Sequence, residues 1–379
     1  MIFIAVSSLL FGVYYTLVLD PYIQVHCVVR QLESDGVETK YFTDRTLQHR
    51  PPLEYGAALI LGQEIVDHPY EMNFENIVFR DDDLRAVGKV YRVWALYLNG
   101  QSITNAGLKH LSRLNLLRLD LSGTLVGSGN CQQPQADAVL AKPGFEQLTN
   151  NTRLKELRLT RTNVNDLDLA ILAKFATPDY LELGETCITD VGMNETAFFG
   201  RVRWLGLNDT SVTPRGLKKL NPSILESLDV RGITLGSEGS NFIGTCHKLD
   251  LVRLARTKFS SKDCESLRAL TNLRRLFLEY NPITDEALEV IGSITPLELL
   301  DLRKTQITAN GIDKLSALRL LRILAIEGDV LASPACLKHL KKLKSLQRVV
   351  FTSSTKVASK LEDIRQQLGP TTQVIEYSE

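Results

Sequence analysis

The side chains of this 379-residue chain that could do chemistry fall into two sets. The first is the usual catalytic and metal-binding set, and its spacing suits neither task. The six cysteines (Cys27, Cys131, Cys187, Cys246, Cys264, Cys336) and six histidines are scattered, with no C-x-x-C pair and no zinc-type spacing. The chain has no phosphate-binding glycine loop, H-E-x-x-H helix or G-x-S-x-G elbow. We therefore expect no catalytic residues, no metal and no cofactor. The second set mixes aromatic rings with charges: Tyr180, Trp204, Phe277 and Tyr280 among Asp229, Arg231, Arg253, Arg256 and Arg275. Tyr180 and Trp204 are 24 residues apart, and so are Asp229, Arg253 and Phe277 in turn. Rings and guanidinium groups concentrate energy at protein interfaces, so the chemistry to expect is recognition.

The elements that position these residues come from a repeat. The template L-x-x-L-x-L-x-x-T-x-I-T, with L-x-L marking a short strand, fits from residue 93 onward. The second apolar residue of each pair is Leu98, Leu121, Leu159, Leu183, Leu207, Val230, Leu254, Leu278, Leu302, Ile326 and Phe351. The steps between them are 23, 38, 24, 24, 23, 24, 24, 24, 24 and 25 residues. Alternation with period two turns the leucines to one face of each strand. The ninth position is mostly Thr, as in Thr124, Thr162, Thr186, Thr210, Thr257 and Thr305, with Asn281 the exception. Such side chains are expected to bond the backbone of neighbouring turns. The twelfth position (Thr104, Asn165, Thr189, Thr213, Ser260, Thr284, Thr308) carries helix N-cap types, and Pro214 follows Thr213 as a first helical residue. A short helix with buried pairs such as Leu108 with Leu111 should complete the unit. Cys264 and Cys336 fall at the position of Leu108, which makes them apolar core thiols. Cys187 falls in a turn and Cys131 in the insertion, so these two are the cysteines that could be exposed.

These residues resemble the leucine-rich-repeat family. Ile188-Thr189-Asp190-Val191-Gly192-Met193 and, more loosely, Ile103-Thr104-Asn105-Ala106-Gly107-Leu108 look like the I-T-D-x-G-L form of its ribonuclease-inhibitor-like and cysteine-containing branch. Thr mostly stands where that branch has cysteine, and the Thr-rich 24-residue form looks bacterial, as in planctomycetes. The resemblance implies an α/β solenoid shaped as a horseshoe, with parallel strands on the concave side and short helices on the convex side. It implies a binding protein without naming what is bound.

Four segments follow from this reading. Residues 1–19 form an uncharged run, about 28 Å long as a helix and close to the thickness of a bilayer core. It reads as a membrane anchor, with a cleaved signal sequence (and so an exported protein) or a buried core segment as alternatives. Residues 20–92 read as a juxtamembrane segment and N-terminal cap, 93–351 as the repeats and 352–379 as a C-terminal cap with a helix over 361–368. An insertion at 126–140 accounts for the 38-residue step and is expected to leave the array just after the strand. It reads as a tolerated surface loop or as a recognition loop.

Strand residues that alternate with the leucines face the open side. Tyr180 and Trp204 should be neighbours there, and Phe277 with Tyr280 should pair beside Arg253, Arg256 and Arg275. The charges, including Asp229 and Arg231, also fit solvated ladder pairs between strands, such as Asp229 with Arg253. Lysine plus arginine equals aspartate plus glutamate at 44 each, so nothing points to nucleic acid. The expected function is a non-catalytic scaffold binding a protein partner, tethered to the membrane through residues 1–19. Structural self-association and inhibition of a hydrolytic enzyme are the alternatives.

Overall fold

The computed structural model describes residues 30, 33–34, 36, 38–41, 69–74, 78–90, 93–129 and 144–377. The N-terminal hydrophobic helix read over 1–19, most of segment 20–68 and most of the insertion lie outside the described residues. Among the described residues, no helix is long and apolar enough to cross a membrane. The chain divides into two units, Met1–Pro178 and Asp179–Glu379.

The first unit contains β1 (Glu38–Tyr41), β2 (Pro69–Asn73), β3 (Ala95–Tyr97), β4 (Arg118–Asp120) and β5 (Glu156–Arg158). β1 pairs antiparallel with β2, and β2 to β5 then run parallel in chain order. The second unit contains β6 (Tyr180–Glu182), β7 (Trp204–Gly206), β8 (Ser227–Asp229), β9 (Leu251–Arg253), β10 (Arg275–Phe277), β11 (Leu299–Asp301), β12 (Ile323–Ile326), β13 (Arg348–Thr352) and β14 (Gln373–Tyr377), all parallel in chain order.

Register follows from the leucines. Leu205, Leu228, Val252, Leu276, Leu300, Leu324 and Val349 are consecutive strand partners, and each is fully buried. A fully buried side chain of this kind contributes about 1.5–3 kcal/mol. A slip of one residue would turn the whole row to water.

After each strand from β3 to β11 the chain turns at the eighth repeat position, where φ is positive. Glycine holds this position at Gly100, Gly123 and Gly232, but Arg161, Glu185, Asp209, Arg256, Tyr280 and Lys304 hold it elsewhere with φ between 53° and 59°. A left-handed backbone costs a non-glycine residue about 1–2 kcal/mol. A backbone ladder fixes it: the eighth N–H donates to the seventh C=O of the next turn, as from Asp209 to Arg231 (2.8 Å) and from Tyr280 to Arg303 (3.1 Å).

The ninth-position side chains differ from the expectation. The Thr hydroxyls donate to the carbonyl three residues earlier in their own turn, as in Thr162 to Leu159 and Thr305 to Leu302, both at 2.6 Å. A hydroxyl one bond from Cβ is too short to reach the backbone of the adjacent turn; only where the longer Asn281 side chain comes to meet it does the Thr257 hydroxyl touch the next turn, at 3.4 Å. The amide of Asn281 does reach the adjacent backbone: it accepts from the Phe259 N–H (2.9 Å) and donates to the Leu254 carbonyl (2.6 Å). Gln101 does the same in the first unit, accepting from Phe79 N–H and donating to Phe74 O, both at 2.8 Å.

The I-T-D-x-G sequence has a physical reading across successive turns. The Asp carboxylate accepts from the N–H and hydroxyl of the Thr one turn later: Asp81 with Thr104, Asp190 with Thr213 and Asp285 with Thr308, all at 2.5–2.8 Å. Glycine three residues after that Thr leaves the carboxylate room. A Cβ on Gly107, Gly216 or Gly311 would meet the Oδ1 of Asp81, Asp190 or Asp285 at 2.2, 2.4 or 2.1 Å. Some of these threonines thus serve turn-to-turn bonding, while Asn165 and Thr213 also cap helices in the expected way.

The segments opposite the strands are shorter than a uniform helix reading suggests. Several are 3-10 turns, at Gly107–Leu111, Phe145–Leu148, Asp263–Ala269 and Gly311–Leu315. A 24-residue unit leaves only a few residues there, and i to i+3 bonding closes such a segment with least chain. The helix Leu361–Leu368 forms, and β14 adds a strand that the repeat pattern does not announce, because Glu376 stands where a second leucine is required.

The insertion begins later than expected. Val126 is fully buried at the eleventh position, a core position of its turn. Gly127 exchanges two hydrogen bonds with the Asn105 side chain, and the Gly129 N–H donates to Asn163 O. The extra residues therefore depart beyond the core position, on the way to the helical side, and not directly after the strand.

Candidate binding face

In the second unit the strand residues between the buried leucines form an open face. Tyr180 and Trp204 begin β6 and β7 in register, and their rings stack at 4.7 Å with an interplanar angle of 12°. The Tyr180 hydroxyl donates to the Glu182 carboxylate two residues on, which fixes the ring's outer end. Arg253 in β9 lies over both flanking rings, 5.9 Å from the Trp204 centroid and 5.3 Å from that of Phe277 in β10. Both distances lie within cation–π range. Tyr180, Trp204, Arg253 and Phe277 therefore make one run over five strands, about 19 Å across at the usual strand spacing. All four are half-buried, so each keeps part of its surface exposed.

The other expected site residues are held in ion pairs or in the turn. Asp229 is buried and grips Arg231 in its own strand exit, with Nε–Oδ1 2.9 Å, Nε–Oδ2 3.0 Å and Nη2–Oδ2 2.8 Å. That hydrogen bonding holds the Arg231 guanidinium above its ordinary pKa. Asp301 and Arg303 repeat the D-x-R arrangement, and the Arg303 guanidinium stacks at 3.9 Å on Tyr377. The cross-strand contact of Asp229 with Arg253 exists but is longer, at 3.6 Å. Arg256 reaches Asp209 at 3.1 Å, and Gly232 in the intervening turn makes this reach possible: a Cβ there would lie 2.2 Å from Asp209 Oδ1. Arg275 is paired with Asp250 at 2.7 Å. Tyr280 stands beyond β10 in the left-handed turn and is 49% exposed.

One residue outside the expected set belongs to this face. Glu279 sits at the seventh position, between the turns of Arg231 and Arg303. Its Oε2 is buried with no hydrogen-bond partner, and burial, then the neighbouring Asp301 charge, pushes its carboxyl above the ordinary range. Its position in the repeat could have found it. Its type could not, because the two arginines that flank it in sequence register are already gripped by aspartates.

The free cysteines among the described residues are core thiols. Cys246, Cys264 and Cys336 are free and buried, and burial pushes each thiol up to about 12. The expectation for Cys187 changes: it is half-buried and disulfide-bonded. Cys131 lies outside the described residues. Among the described residues, no cluster of His, Cys, Asp or Glu is placed to hold a metal ion.

No family model matches the chain, and no curated protein matches it. Among solved structures it is similar to an internalin from Listeria monocytogenes, at 17% identity over 86% of this chain and 95% of that one, with a TM-score of 0.48. It is also similar to a TDR receptor, at 17% identity over 81% of this chain and 54% of that one, with a TM-score of 0.44. The chain thus spans about half of that receptor's length. The repeating unit itself, with its in-register buried leucines, its bonded left-handed turn and its short helical return, has the architecture of a leucine-rich repeat.

Proposed function

We propose that this protein is a non-catalytic scaffold that binds a protein partner on the open face of its second unit. The observation that carries the proposal is the run Tyr180, Trp204, Arg253 and Phe277: aromatic and guanidinium groups pre-stacked on one another, on a rigid sheet, with part of each surface exposed. Rigid rings lose little entropy on binding, and such residues are the usual hot spots. The disulfide at Cys187 and the uncharged run 1–19 support an exported chain held at a membrane in an oxidising compartment.

The test is affinity capture from cell extract, with the wild-type chain beside a variant carrying Trp204→Asp and Phe277→Asp. A protein retained by the wild type and lost by the equally folded variant is the expected result. Identical captures, or a wild-type mass that rises with concentration in light scattering, would instead favour self-association.

A further inference from the structure

We propose a second binding site at the N-terminal ends of β10 to β13, for an acidic peptide segment with neighbouring carboxylates beside an apolar side chain. It shares no residue with the Tyr180–Phe277 run. A groove of about 550 Å³ opens there. Arg275 and Arg348 begin β10 and β13, and between them Leu299 and Ile323 begin β11 and β12 in register. Both apolar side chains are only half-buried, so they make an apolar floor between two guanidinium groups. Arg348 closes the floor on the β13 side. Arg322, immediately before Ile323, brings a further exposed guanidinium over the floor.

The charge balance of the groove is unmet. Arg275 is paired with Asp250 at 2.7 Å, and Glu298, the groove's own carboxylate, is paired with Arg274 at 3.3 Å. Among the described residues, no carboxylate pairs with Arg322 or Arg348. Two guanidinium groups therefore remain for a ligand, and Arg is the side chain best shaped to take a carboxylate through two parallel hydrogen bonds. Gln347 and Gln373 line the same groove and offer amides to a peptide backbone. An apolar floor with a few convergent polar groups is the pattern of a selective site. A bare anion would leave the floor unused, and no aromatic ring lines the groove to stack a nucleobase.

The experiment is fluorescence anisotropy with the full chain and a short labelled peptide carrying two neighbouring aspartates next to a leucine. We expect binding that weakens as salt is raised. We expect at least about a tenfold loss with Arg322→Glu and Arg348→Glu together, and a smaller loss with the same pair changed to Gln. Lys338→Glu with Lys341→Glu, on the helical side, should leave binding unchanged, and so should Trp204→Asp, which separates this site from the run on β6 to β10. The proposal is overturned if the peptide does not bind, if an asparagine version binds equally well, or if the arginine variants bind like wild type. Displacement of the peptide by inorganic phosphate or by a single-stranded oligonucleotide of equal charge would also overturn it.

Discussion

Glu279 shows how the open face differs from an inert ladder. Four arginines, 231, 256, 275 and 303, are each held by an aspartate, whereas Glu279 keeps a buried oxygen without a donor. Its carboxyl is held above its ordinary value by burial first and by Asp301 second. A raised folded pKa means that stability present below the unfolded value, near 4.5, is lost as pH rises through the folded one. Glu279→Gln should therefore match wild type in thermal denaturation at pH 4 and exceed it at pH 7 to 8. A variant less stable than wild type at pH 8 would show that the ionised carboxylate already has a partner in the free protein. Sequence reading placed Asp229 against Arg253, across strands. The structure gives the tighter grip to Arg231, because the left-handed turn at Gly232 directs the chain so that a long side chain two residues on folds back over Asp229.

At the scale of the element, two devices tie each turn to the next, and they should differ in cost. Asn281 bonds two turns at once and is 3% exposed, so Asn281→Ala leaves the Phe259 N–H without its acceptor and the Leu254 carbonyl with the Thr257 hydroxyl alone of its side-chain donors. Losing buried partners of this kind costs about 1–3 kcal/mol each. Thr305→Ala removes one bond within its own turn and should cost about 1 kcal/mol. Equal midpoint shifts for the two in denaturant titrations would refute the distinction. The second device is the Asp–Thr–Gly contact. Gly311→Ala should destabilise by more than about 1 kcal/mol, because its Cβ would sit 2.1 Å from Asp285 Oδ1. Combined with Asp285→Ala the loss should shrink, and additive losses in that double-mutant cycle would contradict the clash. The Asp and the Gly are legible in the sequence as a motif. Their partnership is not, because it joins residues of different turns, as Asp285 and Thr308 are 23 residues apart.

At the scale of the whole molecule, the leucine spacing alone determines the strands, their parallel order and the buried rows, because only one register buries every pair. The spacing also places Tyr180 beside Trp204. It does not reveal β14, where Glu376 breaks the template, nor the left-handed turns, where Arg161, Glu185 and Tyr280 adopt a conformation their types do not advertise. Nor does it separate arginines hydrogen-bonded to aspartates from Arg253, which keeps only a 3.6 Å contact with Asp229 and lays its guanidinium against two rings. That division is what turns a list of charged and aromatic residues into a face with a centre. The most direct measurement of the central claim is the dissociation constant of the captured partner for wild type, for Trp204→Ala and for Lys338→Ala on the opposite side. A hot-spot ring predicts a loss for Trp204→Ala of about 2 kcal/mol or more, roughly thirtyfold, with Lys338→Ala unchanged. If Trp204→Ala binds as tightly as wild type, the partner does not use this face, and the stacked run serves only to hold the sheet together.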